Sequence, residues 1–306
     1  MTRPDALSRS RKPGLKILTV TGVIGAATAA ALWWVSAPAP VSAARIAGLS
    51  GNAQDGEAVF LAAGCASCHK EPGTEADPRV LAGGRAFQSD FGTFYAPNIS
   101  PDPTHGIGEW SQDDFMNAVM AGVSPEGQHY YPAFPYTAYI KADPQDIADL
   151  YAFMMTLPAD ATPSQRHDLA FPFSIRRSLG LWKALYLDDG WTVTGDLNEA
   201  ETRGRYLSEA LAHCAECHTP RNALGALDTN QWLQGAPNPS GQGRIPAIAG
   251  PDFDWTHFDI SAYLESGFTP SFDVVGGSMA DVVASLQQLE KSELDAIAAY
   301  ILRANP

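Results

Sequence analysis

The 306 residues hold four cysteines, and all of them fall in two copies of one pattern. Cys65-Ala66-Ser67-Cys68-His69 is the first, and Cys214-Ala215-Glu216-Cys217-His218 is the second. Two thiols separated by two residues can each bond a vinyl group of one porphyrin. The adjacent histidine then lies under the iron as proximal ligand, so C-x-x-C-H is the attachment signature of a c-type haem. The rival chemistries fit less well. A disulfide needs no histidine after each pair. A zinc shared by both pairs would have to close the 146 positions between Cys68 and Cys214, far beyond a compact ribbon. A thioredoxin-like motif would sit in an alternating α/β pattern, which is absent. The spacing therefore predicts two covalently bound haem c groups. Cys65 and Cys68 hold the first with His69 on its iron, and Cys214 and Cys217 hold the second with His218.

Both motifs sit inside an internal repeat. Pro97 follows His69 by 28 residues, and Pro246 follows His218 by 28. A proline carbonyl at that point can accept the Nδ1–H of the proximal histidine and fix its orientation; a simple turn is the alternative. Trp110-Ser111-x-x-Asp114-Phe115 then matches Trp255-Thr256-x-x-Asp259-Ile260, and Gly122 and Gly267 each stand 12 residues after the tryptophan. A further 12 residues on, the second half has Met279 and the first has Phe134. A thioether opposite the proximal histidine makes the His/Met iron of electron-transfer sites, so Met279 is the expected sixth ligand of haem 2. Phenylalanine has no lone pair, and haem 1 lacks that ligand. His129 is a candidate in its place, Met116, Met120, Met154 and Met155 are others, and a five-coordinate iron is a third option.

These side chains need a scaffold, and the apolar spacing predicts helices. Ile147, Leu150, Phe153 and Met154 share one helical face, as do Leu294, Ile297, Tyr300 and Ile301. Ser292, with Asp295 three residues on, is the expected cap of the last helix. Short apolar helices, Glu57–Ala63 and Arg205–Ala212, precede the two haem motifs. The expected fold is all-α, with two small helical domains at 46–157 and 203–306, each wrapped on one haem. Residues 158–202 join them, with Leu179, Trp182, Leu185 and Tyr186 on the inward side of a helix over Ile175–Leu187.

Charge is unevenly distributed. Six of the 20 bases but one of the 34 acids lie in residues 1–45, which leaves 14 and 33 in residues 46–306. A body of that sign is unsuited to nucleic acid, whose phosphates call for Lys and Arg. Between the basic start and the acidic body, Leu15–Val35 carries one charge, Lys16, and ends on Trp33-Trp34. That is the pattern of a transmembrane anchor with basic residues inside and an aromatic belt outside. A signal peptide cleaved at Val41-Ser42-Ala43 is the competing reading. Both export the body.

With these residues in view, the chain resembles the dihaem cytochromes c. More distantly it resembles the cytochrome c subunit of membrane-bound quinoprotein alcohol dehydrogenases. The resemblance covers about residues 50–306. It is carried by the two C-x-x-C-H motifs, Tyr95–Ile99, Gly108–Ser111, Tyr131–Tyr136, Phe171–Arg176, Cys217–Asn222 and the Met279 segment. Two departures stand out: the dehydrogenase subunit has a third haem motif, and it reads Tyr-Pro-Ala-Met-Pro-Tyr where this chain has Phe134. The resemblance implies tandem class I-like cytochrome c domains in the periplasm, anchored to a bacterial inner membrane. Electrons would enter from a dehydrogenase or quinol-oxidising complex and leave to an oxidase or a basic cytochrome. The alternatives are peroxidase-like or sulfur-oxidising chemistry at haem 1, and a subunit of an alcohol or aldehyde dehydrogenase complex. No triad, phosphate loop or non-haem metal cluster stands out, so no catalytic residue is assigned.

Overall fold

The computed structural model describes residues 13–73, 76–239, 241 and 243–305, with side chains from Thr21 onward. The basic residues of the first 12 positions lie outside the described residues. The chain opens on α1 (Pro13–Val35) and a one-turn α2 (Ala43–Ile46). The first half continues with α3 (Ala53–Ala63), α4 (Cys65–His69), α5 (Gln112–Ala121), α6 (Tyr136–Tyr139) and α7 (Pro144–Met154). The joining segment carries α8 (Ser178–Tyr186). The second half holds α9 (Glu199–Arg205), α10 (Ala215–His218), α11 (His257–Ser266), α12 (Ser278–Leu286) and α13 (Lys291–Arg303). A π-helical turn, Tyr206–Leu211, prolongs α9 toward the second cysteine pair.

In each half the helix before the haem motif crosses the last helix: α3 packs on α7, and α9 on α13. Ile147, Leu150, Phe153 and Met154 are all buried, and so are Leu294, Ile297, Tyr300 and Ile301. Glycine lets the two crossings close. A Cβ at Gly56 would collide with the Asp149 carbonyl, and one at Gly204 with the Ala296 carbonyl, so only a residue without a side chain brings the backbones this near. Helices α5 and α11 start alike, with the reciprocal capping boxes Ser111–Asp114 and Thr256–Asp259. Each box satisfies two of the amide donors that a helix start leaves open.

Three differences from the sequence expectations have physical causes. The fold is mainly helical but not purely so. β1 (Ala86–Ser89) and β2 (Gly92–Tyr95) form a hairpin, to which β3 (Asp168–Leu169) of the joining segment adds a strand. A second ladder pairs β4 (Ala236–Pro237) with β5 (Arg244–Ile245). These ladders satisfy backbone groups in the long loops after each haem motif. Ser292 does not cap α13, whose N-cap is Glu290. Asp295 instead accepts from Ser261 Oγ at 2.5 Å, tying α11 to α13. Helix α8 turns Gly180 and Lys183 inward and leaves Leu185 exposed, because it rests on two polar surfaces. A Cβ at Gly180 would strike Ser36, and Lys183 Nζ reaches the carbonyls of Ala121 and Gly122 at 2.6 and 2.7 Å. Finally, among the described residues no helix is long and apolar enough to cross a membrane.

Candidate haem centres

Each C-x-x-C-H run is a single helical turn, so its two thiols project from one side with the histidine following. The histidines are held alike. His69 Nδ1 lies 2.8 Å from the Pro97 carbonyl, and His218 Nδ1 lies 2.8 Å from the Pro246 carbonyl. The loops beyond are pinned by equivalent bonds, Ile99 N to Leu81 O at 3.0 Å and Ile248 N to Leu233 O at 2.9 Å. With Nδ1–H donated to a carbonyl, Nε2 keeps its lone pair for iron. Burial lowers the pKa of both histidines against the opposing pull of the proline carbonyls, which keeps the imidazoles in the neutral, ligating form.

The four cysteines are free of one another. Burial first, and then the neighbouring Cys68, push the Cys65 thiol up to about 12. Burial also raises Cys68 to about 11, with Arg85 pulling it down and Cys217 and Asp281 adding to the rise. Cys214 rises to about 11, again chiefly by burial. Thiols this reluctant to ionise are poor redox nucleophiles. Among the described residues, no cluster of histidine, cysteine and carboxylate suits a metal ion. Paired thiols on one turn beside a neutral imidazole with a free Nε2 fit a thioether-linked haem.

The two motifs are brought face to face. Helix α12, which carries Met279, packs against α4 of the first motif. Asp281 on α12 accepts from Lys70 and from Arg85, each at 2.8 Å, and Arg85 also reaches Ser278 Oγ at 3.2 Å and the Ser67 carbonyl. Burial works to raise the Asp281 carboxyl, but hydrogen bonds from Lys70 and Arg85, and then their charges, outweigh it and hold the carboxyl below its ordinary value. Reciprocally, Glu216 inside the second motif accepts from Thr137 of α6 at 2.8 Å and pairs with Arg221. His213, next to Cys214, meets Tyr139 edge-on with ring centroids 5.6 Å apart. Each motif thus touches the element that follows or carries the other half's sixth-ligand position, α6 just after Phe134 and α12 with Met279.

A buried carboxylate secures the junction. Glu209 accepts from Thr192 N (2.7 Å), Val193 N (3.1 Å), Tyr300 OH (2.8 Å) and Lys141 Nζ (3.4 Å). It joins both halves to the connecting segment. Its counterpart before the first motif is Phe60, which packs on Phe153 with centroids 5.2 Å apart. The identity of residue 209 hides this role in the sequence, where it reads as one more acid on a helix.

At the sixth-ligand positions, Met279 is half-buried against the core, and Phe134 is boxed by Tyr130, Tyr136 and Tyr139. His129 is buried, with Nε2 3.0 Å from the Ser36 carbonyl and Nδ1 unpartnered. It lines a cavity of about 260 Å³ between the end of α1 and α8, together with Val35 and Lys183. The structure therefore groups His129 with Ser36 and Lys183, the side of the first half that α1 and α8 cover.

The sequence family described as Cytochrome c matches residues 53–158. The diheme cytochrome c-type of Cereibacter sphaeroides is 50% identical over 298 residues, covering 97% of this chain and 98% of that one. This chain belongs to the cytochrome c family. Haem c binding follows from that membership. The fructose dehydrogenase cytochrome subunit of Gluconobacter japonicus is 39% identical, with 86% of the cytochrome aligned to 54% of that protein. The alcohol dehydrogenase (quinone) cytochrome c subunit of Gluconobacter oxydans is 35% identical over 80% of this chain and 53% of its own. The cytochrome spans about half the length of these dehydrogenase subunits and nearly all of the Cereibacter protein.

Proposed function

We propose that the chain is a two-haem electron-transfer protein that relays electrons between a dehydrogenase or quinol-oxidising complex and a terminal acceptor. The observation that carries this reading is the reciprocal contact of the two motifs, α4 against α12 and Glu216 against Thr137. Haem c, when bound, supplies reversible one-electron chemistry; the chain supplies ligands, burial and separation. His69 and His218 present Nε2, and Met279 presents a thioether to the second site. The Asp281 and Glu209 clusters hold the two sites at one spacing. Relatedness to dehydrogenase cytochrome subunits supports a dehydrogenase as donor.

Export and anchoring belong to the same proposal. Helix α1 exposes Val23, Ile24, Trp33 and Trp34, and Leu15–Val35 taken whole is about 30 Å long as a helix. Its end is built into the body. Arg177 Nε donates to Ser36 Oγ at 3.0 Å, Arg177 stacks over Trp33 at 4.2 Å, and His129 meets the Ser36 carbonyl. Cleavage after Ala43 would strip cover from a buried histidine, which favours a retained anchor over a removed signal.

The test is a haem count and a kinetic measurement on the purified full chain. Two haems per chain are expected, and after a reducing pulse they should exchange electrons at a rate independent of protein concentration. One haem, or exchange that scales with concentration, would overturn the reading. Carbon monoxide binding at haem 1 with turnover of peroxide would instead support the enzymatic alternative.

A further inference from the structure

The internal repeat supplies a control for every surface, and one surface differs sharply. After α5 the first half forms a tight hairpin: Val123 bridges His129, Ser124 N bonds Gln128 O at 2.8 Å, and Gly127 N bonds Ser124 O at 2.9 Å. After α11 the second half repeats it bond for bond. Phe268 bridges Val274, and Thr269 N to Asp273 O and Phe272 N to Thr269 O are both 2.9 Å.

The first hairpin is covered. Lys183 of α8 donates to the Ala121 and Gly122 carbonyls, Arg176 Nη1 donates to the His129 carbonyl at 2.9 Å, and Val123 and His129 are buried. The second is bare, with Phe268 at 50%, Val274 at 71% and Phe272 at 84% exposure.

The tip residue sharpens the contrast. Gly127 has φ +69° and Phe272 has φ +64°. A left-handed backbone suits glycine and is disfavoured for a residue with a side chain. The second half thus holds a bulky aromatic, in a conformation it disfavours, out in water. Folding does not require it, since the glycine of the first half makes the same turn. An exposed aromatic of this kind has the character of an interface anchor.

We propose that the Gly267–Val275 hairpin docks a basic redox protein, with Phe272 as the anchor. The proposal rests on the electron-transfer reading and assigns the acceptor side to the second half. The chain's own joining segment shows what fits such a hairpin: the helix α8, which donates from Lys183, and Arg176 in the turn ahead of it. The surrounding charge agrees. Between Arg244 and Lys291 the sequence has seven acids and no Lys or Arg; Asp281 is paired with Lys70 and Arg85 and Glu265 with Lys291, and the other five, Asp273 on the hairpin itself among them, attract a cationic partner and make association salt-sensitive.

The test compares the full two-haem chain with Phe272→Gly and Asp273→Lys. The probe is a lysine-rich soluble c-type cytochrome, with an acidic one as control. Phe272→Gly should weaken binding of the basic probe about 10-fold or more while Tm holds or rises and the haem 2 potential stays fixed. Asp273→Lys should weaken binding and flatten its salt dependence. Unchanged affinity in both variants would overturn the proposal. So would a shifted haem 2 potential in Phe272→Gly, which would make the ring a haem-packing group, or loss of a chain dimer, which would make a second copy the occupant. Unaltered electron transfer to the probe in both variants sinks the docking site alone. No electron exchange with any probe sinks the electron-transfer reading itself.

Discussion

Replacing Asp281 by Asn tests whether the two haem sites are locked together by the contacts seen. The carboxylate accepts at 2.8 Å from both Lys70 and Arg85, and the three side chains are 20–27% exposed. Exposed pairs contribute about 0.2–1 kcal/mol, and hydrogen bonds to charged groups about 1.5–3. A site between these limits gives about 1 kcal/mol per bond and about 2 in all. The transition temperature should fall by about 4–8 °C, and the loss should shrink at high salt. A double-mutant cycle with Arg85→Gln should show coupling of about 1 kcal/mol. Interhaem transfer should slow, because α12 is no longer pinned to α4. The pH dependence has a definite sign. The folded carboxyl lies below its ordinary value, so its contribution is present above about pH 4 and disappears as pH falls through the folded pKa. The gap between wild type and Asn variant should be flat at neutral pH and close in acid. Additive single and double variants, together with an unchanged interhaem rate, would refute the reasoning.

Two further outcomes follow from other sites. Met279→Ala should remove the sulfur–iron absorption of haem 2, open that iron to carbon monoxide, and lower its potential by on the order of 0.1 V; spectroscopy with a redox titration checks all three. Lys183 is lowered to about 7 by burial, so above that pH the unfolded chain binds the extra proton. Stability should therefore rise from about pH 7 toward pH 10, by at most about 1.4 kcal/mol per unit, and Lys183→Met should flatten the rise in denaturant titrations.

Much of the local geometry around the two motifs was legible in the residues alone. The cysteine pairs, their histidines and the prolines 28 residues on are local patterns, and the helical faces around Ile147 and Leu294 follow from period. Misreadings arose where a distant group decided the outcome. Ser292 had the type of a cap, but Ser261 had already taken Asp295. Leu185 had the type of a core residue, but α8 rests on carbonyls, so glycine and lysine turned inward. Glu209 carried no signal, because its four donors come from segments as far away as Lys141 and Tyr300.

By itself the sequence determined that two C-x-x-C-H motifs stand in equivalent halves, and that one half offers Met279 where the other offers Phe134. Those are statements about residue type at fixed spacing, and covalent attachment and iron ligation depend on little more. Only the tertiary structure decided that α4 meets α12, that Glu216 meets Thr137, and that one hairpin is covered while its twin is bare. Such contacts join groups up to about 200 positions apart, and their formation depends on how whole helices pack rather than on any pattern along the chain.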